Sequence, residues 1–124
     1  MQLNLERPDY RYFLRGADGS AALVNDRRLS RSFVIAPDAL VEDWPVADAG
    51  AMTQADLAPL LDLQPELVVL GTGAAQAFPP AAVLAACLQQ GIGIEVMTNA
   101  AAARTYSVLA GEGRRVVAGF VLPA

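Results

Sequence analysis

The chain of 124 residues has no histidine, no lysine and a single cysteine. Without imidazole there is no Ser-His-Asp or Cys-His pair and no imidazole metal ligand; without an amine there is no Schiff base and no phosphate-loop lysine. No histidine and no second cysteine means no expected zinc or other transition metal. No cofactor is expected, and no residue is assigned a catalytic role. Cys87 cannot form an intramolecular disulfide, which suits a reducing, cytoplasmic setting. Charge is sparse too: 18% of residues are charged, against roughly a quarter in ordinary domains. Nine arginines against thirteen carboxylates leave a net charge of −4, which argues against a nucleic-acid partner, because phosphate binding depends on clustered cations. Arg27, Arg28 and Arg31 form the one local basic cluster, in a turn-like stretch that reads as solvated surface, with an anion contact as the alternative. No apolar run is long enough to span a membrane. Met1 to Tyr12 alternates apolar and charged residues, unlike a signal peptide, so membrane insertion is not expected.

What is present is apolar: 54% of the chain, enough for one core and a single domain over residues 1–124. Tyr10–Arg15, the turn at Ala17-Asp18-Gly19 and Ala21–Val24 read as a β hairpin, and Ser32–Ala36 as a strand that Pro37 stops. Asp38 to Thr53 shows no period and is expected to be a structured loop around Trp44. Thr53 and Asp56 resemble a helix cap before Leu57, Leu60 and Leu61. Glu66–Leu70 reads as a strand buried on both faces, closed by Gly71-Thr72-Gly73. Pro79-Pro80 opens a helix whose apolar stripe is Val83, Leu84, Cys87 and Leu88 and which Gly91 ends. Ile92–Met97 is the next strand, Thr98 or Asn99 caps a helix through Leu109 that Gly111-Glu112-Gly113 breaks, and Val116–Leu122 is the last strand. The fold class that follows is α/β, with a parallel βαβαβ C-terminal half and an antiparallel β hairpin from the N-terminal half.

Two loops at strand carboxyl ends, Gly71-Thr72-Gly73 and Thr98-Asn99, face one crevice if their strands are neighbours, and that edge is where α/β sheets hold ligands. Gly71, Thr72, Gly73, Thr98, Asn99 and Arg104 are therefore the candidate ligand-binding residues. The glycine loop lacks the third glycine of a dinucleotide fingerprint, where Gln76 stands, so a structural role for the glycines competes with a ligand contact. A helix start near Asn99 offers backbone N–H groups to an oxyanion, provided the Arg104 guanidinium turns toward the glycine loop. Otherwise Arg104 is a surface residue. Tyr106 and Cys87 read as core side chains, Glu112 and Arg114 as a local ion pair, and Trp44 as the cover of the core's edge, with a partner anchor as its alternative.

The order Leu67–Gly73, Gly91-Ile92, Glu95–Met97, Ala102–Leu109 with Arg104-Thr105-Tyr106, and Glu112-Gly113-Arg114 before a valine-rich strand resembles a family of small proteins of unknown function. Its eukaryotic members include the mitochondrial respiratory complex I assembly factor 3 and an adipogenesis-associated domain protein. Ser32–Ile35, Pro37 and Trp44 extend the likeness over roughly Leu23 to Pro123. The resemblance implies a three-layer α/β fold around a mixed central sheet, with the antiparallel β hairpin packed alongside. The chain departs from the family pattern at Thr98-Asn99, where an acidic residue and Thr are common, and at Ala103 and Ser107, where Cys and Asn are common. A helix-capping oxygen survives the first change. The last two remove those positions from any shared chemistry. Two functions follow as expectations: a non-catalytic interaction or assembly protein with a protein partner, as the relatives suggest, or a small-molecule or anion binder, or an enzyme, that uses the crevice. No residue pattern points to an oligomeric state.

Overall fold

The computed structural model describes residues 10–123; most of the alternating N-terminal stretch lies outside them. A three-stranded antiparallel sheet is made by β1 (Leu14–Ala17), β2 (Ala22–Val24) and β3 (Arg27–Leu29), in that order. The expected hairpin is β1 and β2. The third strand corrects the reading of Arg27 and Arg28 as turn: the true turn is Asn25-Asp26, where Asn25 takes a φ of 51° and its Oδ1 accepts the Phe13 N–H at 3.0 Å. Asparagine tolerates that left-handed conformation better than other non-glycine residues.

The second sheet has five strands in the order β5-β4-β8-β6-β7, from β4 (Phe33–Ala36), β5 (Ala39–Val41), β6 (Leu67–Gly71), β7 (Gly93–Met97) and β8 (Val116–Phe120). β6 pairs in parallel with both β7 and β8, whereas β4 runs antiparallel to β8 and β5. The sheet is thus mixed, and the β6-helix-β7 and β7-helix-β8 crossovers are the parallel units read from the sequence. The segment expected to be a loop from Asp38 is partly regular: β5 follows Pro37 at once, and a 3-10 turn occupies Ala49–Ala51. Thr53 does open a helix. The Asp56 carboxylate accepts its backbone N–H at 2.8 Å, ahead of a 3-10 turn at Gln54–Leu57 that runs into α1 (Ala58–Leu61). α2 spans Ala81–Gln89 and α3 Asn99–Gly111. Gly91, at φ +73°, ends α2 in the position the sequence assigns it. α3 reaches Gly111, and the left-handed Gly113 ends the turn that follows.

Hydrophobic side chains fill both faces of the five-stranded sheet, which explains why β4 and β8 are buried along their whole length. On one face α3 and the small sheet pack over Phe33, Val69 and Phe120; on the other, α1, α2 and the Trp44–Met52 segment pack over Val34, Val68 and Val117. Phe33 and Phe120 stack at 5.1 Å between centroids, an arrangement worth about 0.5–1.5 kcal/mol beyond area burial. Trp44 is buried, as its role of cover requires, and its Nε1 donates to the Asp56 carbonyl at 2.8 Å. A Cβ on Gly119 would lie 2.7 Å from its ring, so any side chain at that strand position would have to displace the indole. Leu88 corrects the apolar stripe of α2: Val83 and Cys87 face the sheet, but Leu88 is 63% exposed. Arg114 pairs with Glu66 at 3.9 Å rather than with Glu112.

Candidate functional site

Because β6 and β7 are adjacent and parallel, their carboxyl-end loops lie side by side. Thr72 N–H donates to the Met97 carbonyl at 3.0 Å, continuing the ladder, and its hydroxyl donates to the Ala75 carbonyl while accepting the Ala77 N–H. Gly73 takes φ +104°, turning the chain so that its carbonyl accepts the Asn99 N–H at 2.9 Å. Thr98 is the N-cap of α3: its hydroxyl accepts the Ala101 N–H at 3.3 Å and its carbonyl the Ala102 N–H at 2.8 Å. Gly71, Thr72, Gly73, Thr98 and Asn99 therefore meet, as their spacing suggests.

The crevice between the loops is occupied by the chain itself. Asn99, fully buried at the first position of α3, turns its amide inward: Oδ1 accepts the Gly73 N–H at 3.0 Å, and Nδ2 donates to the Asp18 carbonyl at 2.9 Å and the Val121 carbonyl at 3.0 Å. One side chain ties the β6 loop, the end of β8 and the β1–β2 turn. Gly71 is glycine for this reason, since a Cβ there would collide with Asn99 Oδ1 and press on Phe120 and Ala102. The β1–β2 turn roofs the arrangement, because Gly19 sits so close to Ala74 that a Cβ would lie 2.7 Å from the Ala74 Cβ. That turn is held by the Asp18 carboxylate, which accepts the Ser20 and Ala21 N–H groups and is kept below the usual carboxylate range by those bonds. Arg104 does not join this cluster. It lies with Ala100 and Val108 on the exposed stripe of α3, opposite the stripe that packs on the sheet, and has no hydrogen bond or ion pair among the described residues.

The reactive side chains are equally quiet. Tyr106 is buried and its hydroxyl donates to the Tyr12 carbonyl at 2.7 Å; burial pushes its pKa well above the ordinary phenol. Burial also raises the Cys87 thiol, away from the thiolate that nucleophilic chemistry needs. A different concavity, of about 360 Å³, opens between β4 and the chain leading from β5, with Trp44, Val46, Leu122 and Pro123 as its walls and Arg31 and Asp43 on it. It is at the small end for a ligand pocket. Nothing in the local sequence signals it, because its walls come from three separated segments.

The surface holds a second feature. From Leu67 to Ala103 the chain carries one charged residue, Glu95. This stretch contains the exposed loop from Ala74 to Phe78, the whole of α2 and the edge strand β7. The outward positions of α2 are Ala81, Ala82, Leu88 and Gln89, and Phe78 and Leu88 are each 63% exposed. A helix on a water-facing surface normally puts charged residues there. Leu23 and Val108 are the other exposed large apolar side chains among the described residues, and they lie on different elements.

Residues 15–121 match the model of the family described as a protein of unknown function (DUF498/DUF598). Among solved structures, the chain is similar to an NMR structure of a Xanthomonas campestris protein, 55% identical, covering 98% of this chain and 92% of that one with a TM-score of 0.83. It is also similar to a solution NMR structure of a Bordetella pertussis protein described as an Mth938-like domain, 28% identical over 98% of this chain and 92% of that one, TM-score 0.79. A curated relative, the 13 kDa major membrane protein of Francisella tularensis, is 28% identical over 71 residues, which are 57% of this chain and 58% of that protein. The chain therefore spans less than two thirds of that relative's length. No helix among the described residues is long and apolar enough to cross a membrane.

Proposed function

The chain belongs to the DUF498/DUF598 family of proteins of unknown function, and from that premise we propose that it is a non-catalytic interaction protein, an assembly-factor-like module whose partner binds the uncharged face built from the Ala74–Phe78 loop and α2. The observation that carries this reading is the exposure of Phe78 and Leu88 on a stretch with a single charge. The crevice supports the alternative less well: the Asn99 side-chain amide and the backbone N–H groups of Thr72, Gly73, Asn99, Ala101 and Ala102 already have partners, and Arg104 stands on the outer stripe of its helix. A net charge of −4 favours a protein partner over nucleic acid. A cytoplasmic location goes with this reading, on the strength of the single buried cysteine; the Francisella relative carries a membrane name, so fractionation of the native cell distinguishes the two locations.

The test is affinity capture from the native cell extract with tagged wild type, Phe78→Glu, Leu88→Glu and Arg104→Ala. Both glutamates enter exposed positions, where substitutions usually cost less than about 0.5 kcal/mol of stability. A protein retained by wild type and Arg104→Ala but lost with either glutamate is the expected outcome. Retention that the glutamates leave unchanged refutes the surface.

A further inference from the structure

We propose that a second copy of this chain docks on the outer edge of β7, joining two five-stranded sheets across a two-fold axis. The inference rests on the interaction reading and adds to it a specific site and partner.

β7 ends the sheet order. In a parallel ladder the backbone groups of alternate residues face the same neighbour. The Met97 carbonyl accepts the Thr72 N–H and so faces β6; Gly93 and Glu95 face β6 with it, and Ile94 and Val96 face outward. On that outer side, among the described residues, the Val96 carbonyl alone has a partner, the Gln76 Nε2 at 2.8 Å. Proteins ordinarily guard such edges with charge, proline, a bulge or a covering segment. The opposite edge is guarded: β5 lies between Asp38 and Glu42, which are engaged by Arg115 and Arg27. β7 has no proline, pairs with β6 without a bulge over five residues, and its guards are few: one charge, the exposed Glu95, and the Gln76 side chain at its Val96 end.

The occupant follows from which groups are free. Antiparallel pairing of β7 with its own copy can centre on Ile94, Glu95 or Val96. Centring on Glu95 sets two carboxylates opposite one another, which is unfavourable. Centring on Val96 requires the carbonyl that Gln76 already holds. Centring on Ile94 lets its N–H and carbonyl bond reciprocally with those of Ile94 in the copy, and points the Val96 N–H at the Ile92 carbonyl across the axis. The two groups this second pair would otherwise call on, the Ile92 N–H and the Val96 carbonyl, are the two already bonded, to the Cys87 carbonyl and to Gln76. Free groups meet free groups. Glu95 then faces Gly93, whose position is exposed, and the axis brings two uncharged α2 helices to the same sheet face.

Sedimentation equilibrium and backbone amide exchange on the full chain test the register. Gly93→Glu and Gly93→Lys add similar bulk with opposite charge, and the only side chain near a Cβ there is the end of Leu67. Wild type is expected to dimerise, with the Ile94 and Val96 amides exchanging more slowly as concentration rises. Gly93→Glu is expected to weaken the dimer about twofold to thirtyfold, from two like-charge pairs across the axis, and Gly93→Lys to strengthen it. A chain that stays monomeric up to millimolar concentration overturns the proposal, as does a dimer whose constant is the same in both variants. Either result leaves the α2 surface untouched if capture still depends on Phe78 and Leu88.

Discussion

Replacing Asn99 with Ala removes one amide and leaves three buried or half-buried groups unpartnered: the Gly73 N–H and the carbonyls of Asp18 and Val121. An intramolecular hydrogen bond contributes about 0.5–1.5 kcal/mol net, and an orphaned buried group costs more. Taking about 1–1.5 kcal/mol for each of the three, the variant should lose about 3–4.5 kcal/mol. With an m-value of about 1.5 kcal/mol/M for a small domain, that is a fall of about 2–3 M in the urea midpoint. Asn99→Asp separates the loss of volume from the loss of donors. Its carboxylate would face two carbonyl oxygens in a buried place, so its folded pKa rises above the unfolded value of about 3.9. Between those two values the folded state holds a proton that the unfolded state has released, and stability falls as pH rises. Relative to Asn99→Ala, the Asp variant should therefore be more stable near pH 4 and lose that advantage toward neutrality. Equilibrium urea unfolding of the three proteins at several pH values measures both effects. A loss below about 1 kcal/mol in Asn99→Ala, or an Asp variant with no such pH dependence, refutes the view that this amide fastens the small sheet to the large one.

Arg104→Ala should change stability by less than about 1 kcal/mol, and inorganic phosphate should raise the urea midpoint of wild type and variant equally; a stabilisation by phosphate that disappears with Arg104 would revive the crevice as an anion site. Asp38 accepts a hydrogen bond from Arg115 that holds its carboxyl below the ordinary range, and Arg27 does the same for Glu42. With folded pKa values depressed, both pairs stabilise the fold above about pH 4 and lose their effect as pH falls through the folded values. An NMR titration should find the Asp38 midpoint below 3.9 and moving up toward it in Arg115→Ala; an unmoved midpoint would show that another group sets it.

The parallel half of the fold is legible because it rests on signals a few residues long: the β-branched run before Gly71, the Pro79-Pro80 entry to α2 and the glycine beyond its end. β3 and β5 are not legible. Each is three residues long, and neither Arg27-Arg28-Leu29 nor Ala39-Leu40-Val41 has room for an alternation to show; pairing with a neighbour makes them strands. α2 illustrates a different failure. Its nine residues are so uniformly apolar that Val83/Cys87 and Leu84/Leu88 offer equally good stripes, and only the position of the sheet chooses between them. For the candidate site, the meeting of the two loops is legible, since neighbouring parallel strands bring their carboxyl ends together. The filling of the crevice is not. Asn99 is a plausible cap by local rules, and that it instead points inward depends on the missing Cβ of Gly71, twenty-eight residues away, and on a turn eighty residues earlier.

The absence of charge along α2 has a physical meaning that the presence of its buried residues lacks. A crossover helix between two parallel strands needs one apolar stripe to cover the sheet, here Val83 and Cys87; the fold places no demand on the opposite side. Charged residues on that side would favour solubility, and Glu-Lys type pairs three or four apart would add about 0.2–0.5 kcal/mol each to the helix. Ala81, Ala82, Leu88 and Gln89 forgo both. Neither core packing nor helix propensity requires leucine at position 88 or phenylalanine at 78. The apolar residues that packing explains are the buried ones, and Phe78 and Leu88 are what the proposed partner would cover. The same reasoning extends to β7, where burial accounts for Ile94 and Val96 on the inner face but not for the backbone groups left unpaired along the outer edge, whose one charge is Glu95. The proposed interfaces on α2 and β7 would account for both exceptions together.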